Sequence, residues 1–146
     1  MATRVDFYVL PSTSARDRFV YACRLVEKAW ALDHRVFVRL DTPEEAAAVD
    51  ELLWTFADRS FVPHALAAGA GEPAERVLVG HGDAPAGHTD LLVNLGAATP
   101  PDFERFARIA ELVDADDARR QLGRERFKYY RERGCTPESH SVGSAA

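Results

Sequence analysis

Arg35 to Glu45 reads RVFVRLDTPEE, a stretch that passes from one structural period to another within two residues. Arg35 to Leu40 is a short β-branched and aromatic run, which reads as a strand. Thr42-Pro43-Glu44-Glu45 then combines an N-cap, a proline at the first helical position and a capping-box glutamate. A helix therefore starts here and runs through Ala46, Val49, Leu52 and Leu53 to about Trp54 or Phe56. Upstream, Val5 to Leu10 (VDFYVL) has the composition of a strand buried on both faces, and it is expected to be central in a sheet. Ser12, Thr13 or Ser14 caps a helix whose apolar stripe is Phe19, Cys23, Val26 and Trp30, joined by Ala22, Leu25 and Ala29. The result is a βαβα opening, which favours a parallel, right-handed α/β layer structure.

Working outward, Gly69 to Glu75 is a glycine- and alanine-rich loop, and RVLV (76–79) and LLVNL (91–95) are two more strand-like runs. Phe103, Phe106, Ala107 and Ala110 predict a helix after Pro100 and Pro101, and Glu111-Leu112-Val113 predicts a last short strand. Residues 1–135 are expected to form a single domain. Thr136 to Ala146 is small and polar with no apolar periodicity, and it is expected to be a mobile tail.

With 146 residues, 47% hydrophobic and 28% charged, the chain suits one domain with a real core. No apolar run approaches the roughly twenty residues of a membrane span, and MATRVDFYVL lacks the pattern of a signal peptide, so a cytoplasmic location is expected. Cys23 and Cys135 form no CxxC pair and no zinc-ligand spacing. A formal charge of -5 argues against broad nucleic-acid binding, so contact with DNA is expected to be indirect or confined to a patch.

One patch answers to that description. In Asp116 to Arg133 (DDARRQLGRERFKYYRER), helical spacing places Ala118, Leu122 and Tyr129 on one side. Arg120, Arg124, Phe127, Lys128 and Arg131 fall on another, with four cations around one aromatic ring. Such a stripe suits an anionic ligand that also carries an apolar group. The alternative is a solvated face whose cations complement the helix dipole while Asp116 and Asp117 pair with Arg120. A second patch is aromatic: Trp54 and the run Ser60-Phe61-Val62-Pro63-His64 sit in and after a helix terminus, either partly exposed or closing the core.

Evidence for catalysis is sparse. The turn Leu10-Pro11-Ser12-Thr13 lacks the glycines of a phosphate-binding loop, and no nucleophile elbow or HExxH spacing occurs. His64, His81, Asp83, His88 and Asp90 are the residues from which a small hydrolase or nucleotide binder would have to build a cleft beyond the strand ends. No metal or cofactor is expected.

Taken in order, VDFYVL, VDELLWTFADRSFVPHAL, DLLVNL and QLGRERFKYYRERG resemble the chi subunit family of bacterial DNA polymerase III holoenzyme over nearly the whole chain. The resemblance implies a Rossmann-like three-layer fold with a mostly parallel central sheet and helices on both faces. It also implies a non-catalytic accessory subunit that pairs with the psi subunit, joins the clamp loader through it, and binds the acidic C-terminal tail of single-stranded DNA-binding protein. By position, the tail pocket would fall on Arg124, Phe127 and Lys128 with Val113 as an apolar wall, and Arg120 and Arg131 extend its positive field. The family usually has tyrosine where Phe127 stands, so the ring contact is kept and a hydroxyl hydrogen bond is lost. Trp54 and Phe61, with Pro63 beside them, match positions used toward psi, with an accessory helicase as an alternative partner for that face.

Overall fold

The structure, a computed structural model, describes residues 3–56, 62–66, 76–81, 87–100 and 103–142. In chain order it contains β1 (Arg4–Val9), α1 (Ala15–Ala31), β2 (Val36–Arg39), α2 (Pro43–Thr55), β3 (His64–Leu66), β4 (Val77–Gly80), β5 (Leu91–Asn94), β6 (Arg108–Val113), α3 (Asp117–Glu132) and β7 (Glu138–Ser141). All described strand pairs are parallel, and the sheet order is β3-β4-β2-β5-β6-β1-β7.

Local chemistry sets the helix starts. The Thr42 hydroxyl accepts the Glu45 amide at 3.1 Å, Ser14 accepts that of Asp17 at 3.3 Å, and Asp116 accepts that of Arg119 at 3.0 Å. Pro43 is the first residue of α2, where its missing N–H costs nothing. Side chains then alternate across the sheet. Val36, Val38, Val77, Val79, Leu91 and Val93 pack under α1 and α2, while Phe37, Leu78 and Leu92 pack on the other side under α3. Both faces are covered, so these strands are apolar along their length, with Arg39 and Asn94 only at the carboxyl ends of β2 and β5. Each fully buried Val, Leu or Phe contributes about 1.5–3 kcal/mol to holding the three layers together. Among the described residues, no helix is long and apolar enough to cross a membrane.

The structure corrects three expectations. First, β1 is not central: it lies second from an edge, between β6 and β7, and its last residues are half-buried. Second, no helix forms from Phe103 to Ala110. A single 3₁₀ turn, Phe103–Arg105, brings Phe103 and Phe106 to the same side and into the core, and the chain then extends directly into β6. In a 3₁₀ turn residues three apart eclipse, so one turn satisfies the spacing that suggested a helix. Third, the expected mobile tail includes a strand: β7 pairs in parallel with β1, Glu138 opposite Asp6 through Ser141 opposite Val9. On α3, Leu122 and Ala118 do not face the core. Gly123, Arg126 and Tyr130 do, and Leu122 is 36% exposed.

Candidate functional site

α3 is positioned by buried polar chemistry. The Glu111 carboxylate, fully buried on β6, accepts the Arg126 Nε at 3.0 Å, the Tyr130 hydroxyl at 2.6 Å and the Asn94 amide at 3.0 and 3.1 Å. Arg126 also donates to the Ala97 carbonyl at 2.8 Å. Burial, with Glu111 beside it, pushes the Tyr130 phenol far above its ordinary range and keeps it a donor. At the start of the helix, buried Asp114 accepts Arg119 Nε at 2.8 Å and the Asp116 amide at 3.1 Å. Burial works against its ionisation, but those hydrogen bonds and Arg119 outweigh it and hold the carboxyl below 3.8. Gly123 allows the helix to come down onto β6, because a Cβ there would stand 3.0 Å from Val113 Cγ2.

Beside that close approach a cleft of about 300 Å³ opens between α3 and the outer strands. Phe7, Val9 and Val113 give it an apolar floor, Arg120, Arg124 and Phe127 line its helix side, and Ser139 of β7 closes it. A broader hollow of about 620 Å³ adjoins it, lined by Arg124, Phe127, Lys128, Arg131 and Glu132. Val113, Arg120, Arg124, Phe127, Lys128 and Arg131 thus surround two neighbouring hollows, with Arg124 and Phe127 shared between them. Phe127 is half-buried rather than fully exposed, its ring centroid 5.2 Å from that of Phe7.

The expected pairing of Arg120 with Asp116 or Asp117 is absent. Asp116 caps the helix, and Arg120 Nε donates to the Asp114 carbonyl at 3.1 Å. Arg124 reaches only Gln121 Oε1, at 3.4 Å, and Lys128 lies 3.9 Å from Glu132 across an exposed helical turn. Among the described residues no carboxylate lies in ion-pair range of Arg120, Arg124 or Arg131. Phe7, Val9, Gly123 and Ser139 were not anticipated. A glycine in the middle of a helix costs up to about 1 kcal/mol, which is a signal for Gly123; nothing local marks Ser139.

The aromatic patch lies at the opposite edge of the sheet. Trp54, 51% exposed at the end of α2, packs against the His64 ring with centroids 4.2 Å apart. His64 is buried and bridges the Val62 carbonyl at 2.7 Å and the Asp50 carbonyl at 2.8 Å. Pro63 and Leu66 are exposed nearby, and Phe61 lies outside the described residues.

The residues proposed for catalysis do not assemble. His81 follows β4 at the carboxyl ends of the strands, whereas His64, His88 and Asp90 stand at the amino ends of β3 and β5. β3 and β5 are three strand spacings apart, roughly 14 Å. Asp90 is occupied in accepting the Arg35 amide at 2.7 Å, and Asp83 lies outside the described residues. At the carboxyl ends, where this architecture commonly holds ligands, a small hollow of about 170 Å³ includes Asp41, Gly96 and Ala97. There the Gly96 amide donates to Asn94 Oδ1 at 3.0 Å, and the Ala97 amide to both oxygens of Asp41 at 3.0 and 3.1 Å. These two backbone amides are thus taken by the chain's own side chains. Asp6, Glu138 and His140 come close enough to suggest a metal site, but Asp6 already pairs with Arg108 at 3.0 Å, Arg4 at 3.1 Å and His140 at 2.8 Å. Two guanidiniums at one carboxylate repel a cation.

Comparison with known proteins points the same way over most of the length. The family model described as "DNA polymerase III chi subunit, HolC" matches residues 2–138. Three proteins named DNA polymerase III subunit chi are similar to the chain. That of Pseudomonas aeruginosa is 41% identical, covering 96% of this chain and 97% of that protein. That of Haemophilus influenzae is 30% identical, covering 98% and 100%, and that of Escherichia coli is 28% identical, covering 88% and 90%. With its parallel α/β core, its basic helix and this end-to-end match, the chain belongs to the DNA polymerase III chi subunit family.

Proposed function

We propose that this protein is a non-catalytic accessory subunit of DNA polymerase III, acting in the cytoplasm during DNA replication. It bridges a psi subunit, and through it the clamp loader, to the acidic C-terminal tail of single-stranded DNA-binding protein. The observation that carries the tail reading is the apolar-floored, cation-rimmed cleft beside α3. At about 300 Å³ it stands at the small end of ligand pockets, which suits one aromatic side chain better than a cofactor. Arg124 offers a planar fork to the terminal carboxylate, Phe127 and Val113 seat the ring, Lys128 and Arg131 meet the preceding aspartates, and Arg120 extends the positive field along the same face. With a net charge of -5, contact with DNA runs through that partner. The second surface is the β3 edge, where Trp54 and Pro63 receive psi, an accessory helicase being the alternative occupant; Phe61, outside the described residues, is assigned to the same partner by the resemblance alone.

Calorimetric titration tests the tail reading. A synthetic peptide of several aspartates ending in phenylalanine with a free carboxylate is expected to bind, and its C-terminal amide to bind at least tenfold more weakly. Equal affinity for the two peptides, or no binding of either, would sink it.

A further inference from the structure

On the tail-binding reading rests a further step, which concerns the open edge of β7. Val142 N–H donates to the Val9 carbonyl at 2.9 Å, so the backbone groups of Val142, and of His140 and Glu138 at steps of two, point toward β1. Those of Ser139 and Ser141 therefore point outward, away from the sheet. Among the described residues, no strand pairs with that side of β7. Ser139 and Ser141 are exposed, and the side chain of Ser139 lines the cleft. One residue thus presents its side chain to the candidate site and its main chain to an unfilled ladder position.

We propose that the acidic peptide docks as an eighth, parallel strand along β7, its backbone paired with Ser139 and Ser141 while its terminal aromatic residue enters the cleft. The direction follows from charge. α3 runs against the strands, so Lys128 and Arg131 lie toward their amino ends, and Arg120 lies toward their carboxyl ends with Val9 and Val113. A peptide with aspartates first and the aromatic terminus last meets those cations in order only if it runs the same way as β7. Added strands lie about 4.8 Å from their neighbour and turn alternate side chains to one face, so alternate peptide residues face α3. Glu132 and Glu138 stand near the amino end of the path and confine the pairing to the last few residues of the peptide.

The test reads the peptide backbone directly. Peptides carrying a single N-methyl group at each of the last several positions in turn are titrated against the full-length protein. Pairing along an edge predicts alternation: methylation at every second position weakens binding about three- to tenfold, and the intervening positions tolerate it. Ser139→Pro deletes one outward amide without touching the ladder to β1, and is expected to weaken the peptide by a similar factor with the melting temperature unchanged. Should that variant not fold, the methylation series decides alone. If the unmodified peptide binds but no alternation appears, strand addition is overturned and the cleft reading stands. If the unmodified peptide does not bind, both fall.

Discussion

The two edges of the sheet are built on one device and finished with opposite chemistry. At each, a histidine joins the short outermost strand to its support: His64 bridges to Asp50 of α2, and His140 to Asp6 of β1. Among the described residues, the exposed groups around His64 include Trp54, Pro63 and Leu66, an apolar rim. Around β7 they are serines, a glutamate and the cationic side of α3. Edges must be covered, paired or blunted, and a protein with two differently finished edges can hold two partners that do not compete.

Predictions that would break or sharpen this contrast begin with the scaffold common to both edges. Glu111→Ala leaves the buried Arg126 guanidinium without its carboxylate and is expected to cost about 3–5 kcal/mol in urea unfolding. Because α3 loses its anchor, peptide binding at the β7 side should fall more than binding at the remote β3 edge. Equal loss at both would mean that the network supports the whole sheet and not one side of it.

Next in size, Arg124→Ala or Lys128→Ala is expected to weaken the acidic peptide by ten- to a hundredfold, about 1.5–3 kcal/mol, and to leave psi binding unchanged. Added salt should act the same way at one edge only, since exposed cations are screened beyond about 10 Å at 0.1 M. Calorimetry at two salt concentrations with both partners measures this, and a matching salt slope at the apolar edge would dissolve the contrast.

Trp54→Ala tests the other side. Its loss is expected to cost about 2 kcal/mol of psi affinity, with peptide binding intact and a smaller change in melting temperature. A large stability loss beside unchanged psi binding would make the Trp54–His64 stack a structural lid.

The smallest effect concerns pH. Burial disfavours the Asp6 carboxylate, but His140, Arg108 and Arg4 outweigh it and hold its pKa below 3.8. A depressed carboxyl stabilises the fold above its unfolded value, and that contribution is lost as pH falls below about 4 toward the folded value. Stability of the wild type should therefore decline more steeply over that window than that of Asp6→Asn, as read by denaturant midpoints. Parallel curves would remove Asp6 from the account of how β7 is held.

These edges also mark how far residues alone could be read. Thr42-Pro43-Glu44-Glu45 and the apolar runs announced the α/β layers because their signals are local: a cap, a fixed φ, a strand buried on both faces. The five residues of the basic stripe were legible for the same reason, since helical spacing alone places them together, whereas Val113 came only from the family resemblance. β7 was not, because ESHS owes its place to main-chain pairing and to one carboxylate 134 residues away in sequence. The core face of α3 was not legible either, because Arg126 and Tyr130 are buried through Glu111, a partner that no periodicity reveals. With a tyrosine and an arginine on the core face, Leu122 faces outward.

The carboxylate of Asp41 on the Ala97 amide has a physiological consequence. A replication subunit works amid a concentrated pool of nucleoside triphosphates and pyrophosphate, all of which seek exposed amide donors at strand ends. By supplying its own anion there, the chain closes that amide to such ligands.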